Sequence, residues 1–291
     1  MEKLVNPIVK KDLRVICRSM KFSWGLFAYE AVLALAFCLT MLVIYTSSGF
    51  SSMRSNVDIY EGYVAFFPIV GVAQLCIISL IVPIITASSI SGERERGTLD
   101  VLLTTTITPV QIIIGKVSSA VIRVMIFVFA SIPLMAASFI MGGLSWGSLF
   151  VYIILAFVFA VMTGSIGTMC SAFCKKTIPA IIMSYVIYGI IYGGTYLPIF
   201  ILSLIVDDVD DVYWMLLGQI TNPVTSFVVF FVNALTGEGF NDIFSYGGNS
   251  SDILEFLFST PVWLIISSVF QLGVAALAVL IASKKIRPGK K

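Results

Sequence analysis

Catalysis needs polar side chains that converge, and this 291-residue chain offers few of them. Histidine is absent, which removes imidazole metal sites, His-based triads and histidine proton relays together. The five cysteines, Cys17, Cys38, Cys76, Cys170 and Cys174, fall in apolar stretches or beside basic ones. They read as single buried thiols packing as small hydrophobes, not as a disulfide framework. Gly115-Lys116 does not make a nucleotide loop. A phosphate cradle needs G-x-x-x-x-G-K-[ST], whereas Val117 follows the lysine and Val110 stands where the first glycine belongs. The chain is therefore expected to carry no ATP site, catalytic residue, cofactor or metal of its own. Glu30 is the one acidic residue well inside an apolar stretch. Such a group is often functional, but reach to Arg18 or Lys21 is the favoured structural role. Asp207, Asp208, Asp210 and Asp211 form an acidic run better read as a solvated boundary than as a calcium site.

The segment richest in information is Ser91-Gly92-Glu93-Arg94-Glu95-Arg96-Gly97-Thr98-Leu99-Asp100-Val101-Leu102-Leu103-Thr104. The alternating charges end an apolar helix in water. Gly97 breaks it, and Thr98 with Asp100 suits the start of a short new helix. Leu99, Leu102 and Leu103 would share one face of that helix at i, i+3 and i+4. A second start signal, Thr108-Pro109-Val110-Gln111, combines a capping box with proline at the first helical position. A short helix with an apolar stripe too small to bury itself is therefore expected between two longer helices, docked on something else.

The elements that hold this segment are set by hydropathy. Charged residues make up 12% of the chain, against roughly 25% for a soluble domain. The mean hydropathy is +1.02, so most of the surface must face lipid. A hydrocarbon layer about 30 Å thick takes roughly 20 apolar helical residues. Stretches 22–45, 66–88, 117–141, 149–172, 178–206 and 262–283 qualify. A seventh, 212–235, is interrupted by Gln219, Asn222, Pro223, Ser226 and Asn233. Charge sets the count at six. With the amino terminus inside, only Arg54 of the 18 Lys and Arg residues falls in an outer loop, and Arg123 is close enough to the inner surface to snorkel to it. Stretch 212–235 then reads as a re-entrant outer helix broken at Asn222 and Pro223. Pro83, Pro133, Pro179 and Pro198 should bend their helices. Gly189 and Gly193 give the fifth span a small-xxx-small face, suited equally to a subunit interface or to packing within one chain.

Residues 1–21 read as an interfacial helix capped by Asn6 and Pro7. Lys10, Lys11, Arg14, Arg18 and Lys21 share one arc, facing anionic headgroups, with Asp12 the exception on an otherwise apolar remainder. The first span is too long for a cleavable signal and lacks a small-x-small site. No second domain is marked, so 1–291 is expected to be one transmembrane domain: 1–21 interfacial, 89–116 a cytoplasmic coupling loop, 207–261 an extracellular segment.

The run from Glu93 through Gly97-Thr98-Leu99, Leu102-Leu103-Thr104, Thr108-Pro109 and Gly115-Lys116 resembles the cytoplasmic motif of ABC-2 type permeases, roughly E-R-E-x-G-T-L-E-x-L-L-x-T-P with a following Gly-Lys. Asp100 replaces the usual glutamate, and Thr106 and Ile107 are extra. The wider resemblance covers nearly the whole chain. It implies an all-α permease subunit of a bacterial ABC exporter in the cell membrane, both termini cytoplasmic. Two separate ATPase subunits would hold ATP and Mg, and a second permease copy, identical or different, would complete the transporter. Glu93, Arg94, Glu95, Gly97, Thr98, Leu99, Leu102, Leu103 and Thr104 would then couple to the ATPase. The solute would be a peptide, drug or lipid-like molecule moved outward; nucleic acid is not an expected partner. A stand-alone ion-coupled carrier is the alternative, although such carriers place several ionisable groups at the membrane midplane and this chain has almost none.

Overall fold

A computed structural model describes Val9, Asp12 and residues 19–49, 66–99, 108–142, 145–203, 217–236 and 259–286. The described residues are helical, without strands. In chain order they form α1 (Met20–Gly49), α2 (Phe66–Glu95), α3 (Pro109–Ala130), α4 (Ile132–Gly142), α5 (Trp146–Phe173), α6 (Thr177–Tyr192), α7 (Leu197–Ser203), α8 (Pro223–Thr236) and α9 (Thr260–Ile286), with 3-10 turns at Gly194–Tyr196 and Leu217–Thr221. Among the described residues, six stretches are long and apolar enough to cross a membrane: Phe22–Val43, Phe66–Glu95, Pro109–Ala137, Trp146–Phe173, Thr177–Tyr196 and Thr260–Ile286. Most of the interfacial helix, Leu102, Leu103, Thr104 and the Asp207–Asp211 run lie outside the described residues.

The centre of the bundle is α5, which packs against α9, α2, α3, α6 and α8. In its most apolar window 67% of residues are buried, against 11% for the first span, so α1 is peripheral. Small residues make this centre possible. A Cβ at Gly167 would stand 2.8 Å from Thr86 Cβ and 3.2 Å from the Tyr188 hydroxyl. One turn on, Ser171 Oγ donates to Ala87 O (2.6 Å) and accepts from the amides of Ile90 (3.0 Å) and Ser91 (2.9 Å). The backbones of α2 and α5 therefore touch where Gly167 and Ser171 face Thr86 and Ala87. At the other end of the bundle, Phe67 and Tyr152 meet Phe227, Phe230 and Phe231 of α8 in edge and tilted contacts with ring centroids 5.5–6.4 Å apart. Gly71 leaves the space that Phe231 fills, since a Cβ there would lie 2.9 Å from Phe231 Cε1.

Helix α8 has 14 residues, about 21 Å of helix, and is too short to cross alone. The chain breaks at Asn222, as its sequence suggested, and three of the interrupting residues, Gln219, Asn222 and Ser226, are hydrogen-bonded within the bundle. The Asn222 side chain accepts from the Val224 amide (2.9 Å) and donates to Tyr192 O (3.1 Å), Thr195 Oγ1 (2.8 Å) and Gln219 Oε1 (3.2 Å). Gln219 Nε2 donates to Thr195 O (2.7 Å), and Gln271 Nε2 donates to Ser226 Oγ (3.0 Å) and Ser267 Oγ (2.9 Å). These polar groups are buried in a network joining α6, α8 and α9, not turned to water.

Several expectations need correction. The fifth span does not run on to 206 as one helix; α6 ends at Tyr192, where Gly193 caps it and a 3-10 turn follows. Pro179 and Pro198 sit in first turns, where a missing amide costs little. Pro83 lies inside an unbroken helix, and only Pro133 stands near a break, at Ser131. Cys38 and Cys76 are exposed on the flanks of the bundle; of the described cysteines only Cys170 is fully buried.

Candidate coupling site at the basic end of the bundle

At about 1.5 Å per residue, the 30 residues of α2 span about 45 Å, well beyond a hydrocarbon layer. Its last turns therefore project at the end of the bundle that also carries Lys175, Lys176, Lys284 and Lys285. There each charge of the Glu93-Arg94-Glu95 run reaches a different element. Glu93 Oε1 accepts from Lys116 Nζ of α3 (2.7 Å), and Lys116 also meets Asp12 (3.2 Å). The Asp12 carboxylate additionally accepts from Ser119 Oγ (3.4 Å). Arg94 donates to the carbonyls of Cys174 (2.7 Å) and Ala172 (3.2 Å), groups that the end of α5 leaves without helical partners. Glu95 accepts from the Thr177 amide and hydroxyl, both at 2.8 Å, capping α6 from outside; Lys176, the residue at the cap position, makes no side-chain cap bond. Lys285 of α9 lies over the Phe173 ring at 5.4 Å, tying the sixth span to the same end.

Gly97 ends α2. Its φ of +69° is the left-handed conformation that favours glycine, and no other residue lies within 4 Å of where its Cβ would be. Gly97 N–H donates to Arg94 O (3.1 Å) and Thr98 N–H to Glu93 O (2.9 Å), the paired bonds of a Schellman cap. The Thr98 hydroxyl adds a third bond, to Glu93 O (3.1 Å). The far end of the loop is capped as the sequence suggests: Thr108 N–H donates to Gln111 Oε1 (3.0 Å), and Gln111 N–H to Thr108 Oγ1 (3.4 Å). Leu99, expected on an outward docking stripe, is instead only 6% exposed and joins the main apolar core of the chain.

The structure brings Glu93, Arg94, Glu95, Gly97, Thr98 and Leu99 to one end, away from the other candidates. Glu30 lies on α1 with its Oε1 buried and, among the described residues, without a hydrogen bond or ion pair; Arg18 and the side chain of Lys21, the partners expected for it, lie outside what the structure describes. Among the described residues, a Cβ at Gly189 would meet nothing within 4 Å and one at Gly193 only the Gly189 carbonyl. Other residues hold this end together without standing among the candidates. Lys116 reads in the sequence as an inner-side charge and as the end of the family motif, with no partner indicated. Asp12 reads as the one exception on the apolar remainder of its segment. Gly167 with Ser171 repeats the small-xxx-small spacing, and that signal was available.

Fold and site together define a polytopic α-helical membrane protein with a capped, charge-braced loop between its second and third spans. Among known families, the ABC-2 family transporter protein profile matches residues 6–283. The chain belongs to that family, a membrane transport component. No curated protein matches it.

Proposed function

We propose that this chain is the permease subunit of an ATP-driven exporter, with loop 96–108 receiving force from separate ATPase subunits that hold ATP and Mg. The observation that carries this is the fan of Glu93, Arg94 and Glu95 onto α3, the end of α5 and the start of α6. A push on the loop would reach four spans through short charge-assisted bonds instead of dissipating in one helix. Leu102, Leu103 and Thr104 are the contacts to the ATPase groove. Leu99 anchors the loop to the bundle.

The positive-inside pattern supports a multi-pass cell-membrane protein with both termini and this loop cytoplasmic. The working unit is two permease copies with two ATPases. The unfilled face at Gly189 and Gly193 favours those residues as contacts between copies over packing within one. The solute is amphipathic or hydrophobic, in keeping with a bundle whose described spans offer few ionisable groups, and it moves outward.

The test is capture of the ATPase with tagged chain, followed by vesicle transport. Leu102→Asp with Leu103→Asp should abolish both capture and ATP-dependent transport while leaving membrane insertion intact. ATP-driven transport at full rate in that variant would defeat the proposed coupling route.

A further inference from the structure

Sulfur gathers at the seam between α5 and α6, at the same end of the bundle as the Lys116 clamp. The register of these two antiparallel helices is fixed by Phe159 against Tyr192, with ring centroids 6.1 Å apart, and by Gly167 beneath the Tyr188 hydroxyl. Carried on toward the clamp, that register sets Cys170 beside the Ser184 side chain and Cys174 Sγ 3.9 Å from Met183 Sδ. Cys170 and Cys174 lie one turn apart on α5 and interact electrostatically. Met183 and Met169 pack against the apolar cluster that contains Cys170, Met162 and Tyr188, and that cluster holds no carboxylate among the described residues. Cys174 and Met183 are half-buried and Cys170 is fully buried. Spacing along α5 alone reads the two cysteines as separate thiols; α6 supplies the third sulfur.

The 3.9 Å contact matches the spacing that one metal ion imposes. With metal–sulfur bonds of about 2.3 Å, two sulfurs on one ion stand about 3.8 Å apart in a tetrahedral site and about 4.0 Å apart in a trigonal one. We propose that Cys170, Cys174 and Met183 form a three-sulfur site for a soft monovalent cation, Cu(I). Thiolate and thioether donors select soft ions, and surroundings without carboxylates give hard cations nothing to bind. Zinc draws four ligands from thiolate, imidazole and carboxylate, and only the two thiols here qualify. Binding releases both thiol protons, so two thiolates and one cation leave a single net negative charge. Basic groups stand ready to balance it. The Arg94 guanidinium already donates to Cys174 O (2.7 Å) and Ala172 O (3.2 Å), and Lys175 and Lys176 follow directly in the chain. The bound ion pins α6 to the end of α5 beside the Glu95–Thr177 contact.

The site does not depend on ATP-driven transport, because metal binding is read on the purified full-length chain alone. Titration of the reduced chain with Cu(I) against a chromogenic chelator, without oxygen, should find one ion held per chain. X-ray absorption of that ion should show a shell of sulfur alone at about 2.3 Å. Cys174→Ser and Met183→Leu, both at half-buried positions, should each weaken binding by more than about tenfold, the least that outer-shell changes at metal sites cost. Cys38→Ser with Cys76→Ser, on the exposed flanks of the bundle, should leave it unchanged. The absorption spectrum of the unaltered chain carries the test even if a variant fails to fold. No binding in competition with the chelator, a nitrogen or oxygen shell, or parent affinity in either Cys174→Ser or Met183→Leu overturns the site. Zinc held as tightly as Cu(I) overturns the choice of ion.

Discussion

Replacing Lys116 with methionine keeps most of the stem and removes the ammonium that two carboxylates share. Lys116 is 8% exposed as a residue, and the Asp12 and Glu93 side chains are 18% and 26% exposed. Breaking a fully buried pair costs about 3–5 kcal/mol, chiefly through the charge left behind. Here two acids are stranded, but both reach water in part, which screens the loss, so about 2–3 kcal/mol is expected. At about 2–4 °C per kcal/mol for a chain of this size, the melting temperature in detergent should fall by roughly 4–12 °C. Glu93→Gln in the same chain removes one stranded charge and should recover part of the loss, giving a coupling energy of about 1–2 kcal/mol in a double-mutant cycle. The assay is thermal unfolding of Lys116→Met, Glu93→Gln and the double variant, with Asp12→Asn as a second partner. Additive losses, or Lys116→Met melting like the parent, would refute the clamp.

Other outcomes follow from the same geometry. Gly97→Val, forced into the left-handed region with open space around it, should cost about 1–2 kcal/mol from the backbone alone, and Gly97→Asn less; comparing the melts separates strain from crowding. Gly167→Leu cannot fit against Thr86 and Tyr188 and should prevent folding of the α2–α5 centre, whereas Gly164→Ala, whose nearest neighbours stand 3.8 Å and 3.9 Å off, should be tolerated; size-exclusion profiles of the two decide it. Asn222→Ala removes the side-chain donor to the Tyr192 carbonyl and the acceptor of the Val224 amide, and should cost about 2–3 kcal/mol, with protease nicking near 222 as the readout.

What the sequence determines here are local quantities. Candidate spans follow from runs of apolar residues, because in lipid each helix must satisfy its own backbone whatever its neighbours do, and the charges between the runs reduce seven candidates to six. Helix ends follow from side chains a few residues away, so the capping box at Thr108 and Gln111, the stop at Gly97 and the break at Asn222 could all be read from their own segments. The coupling motif was recognisable as residues, but not where its charges go. Glu93 finds Lys116 across 23 positions, Arg94 finds Cys174 across 80 and Glu95 finds Thr177 across 82. No spacing rule connects such pairs; only the packing of α2 beside α3, α5 and α6 does. Asp12, the one charge on the apolar remainder of its segment, has its reason in Lys116, 104 positions away. Leu99 shows the limit most plainly: spacing can group it with Leu102 and Leu103 but cannot say what it packs against, and the bundle buries it.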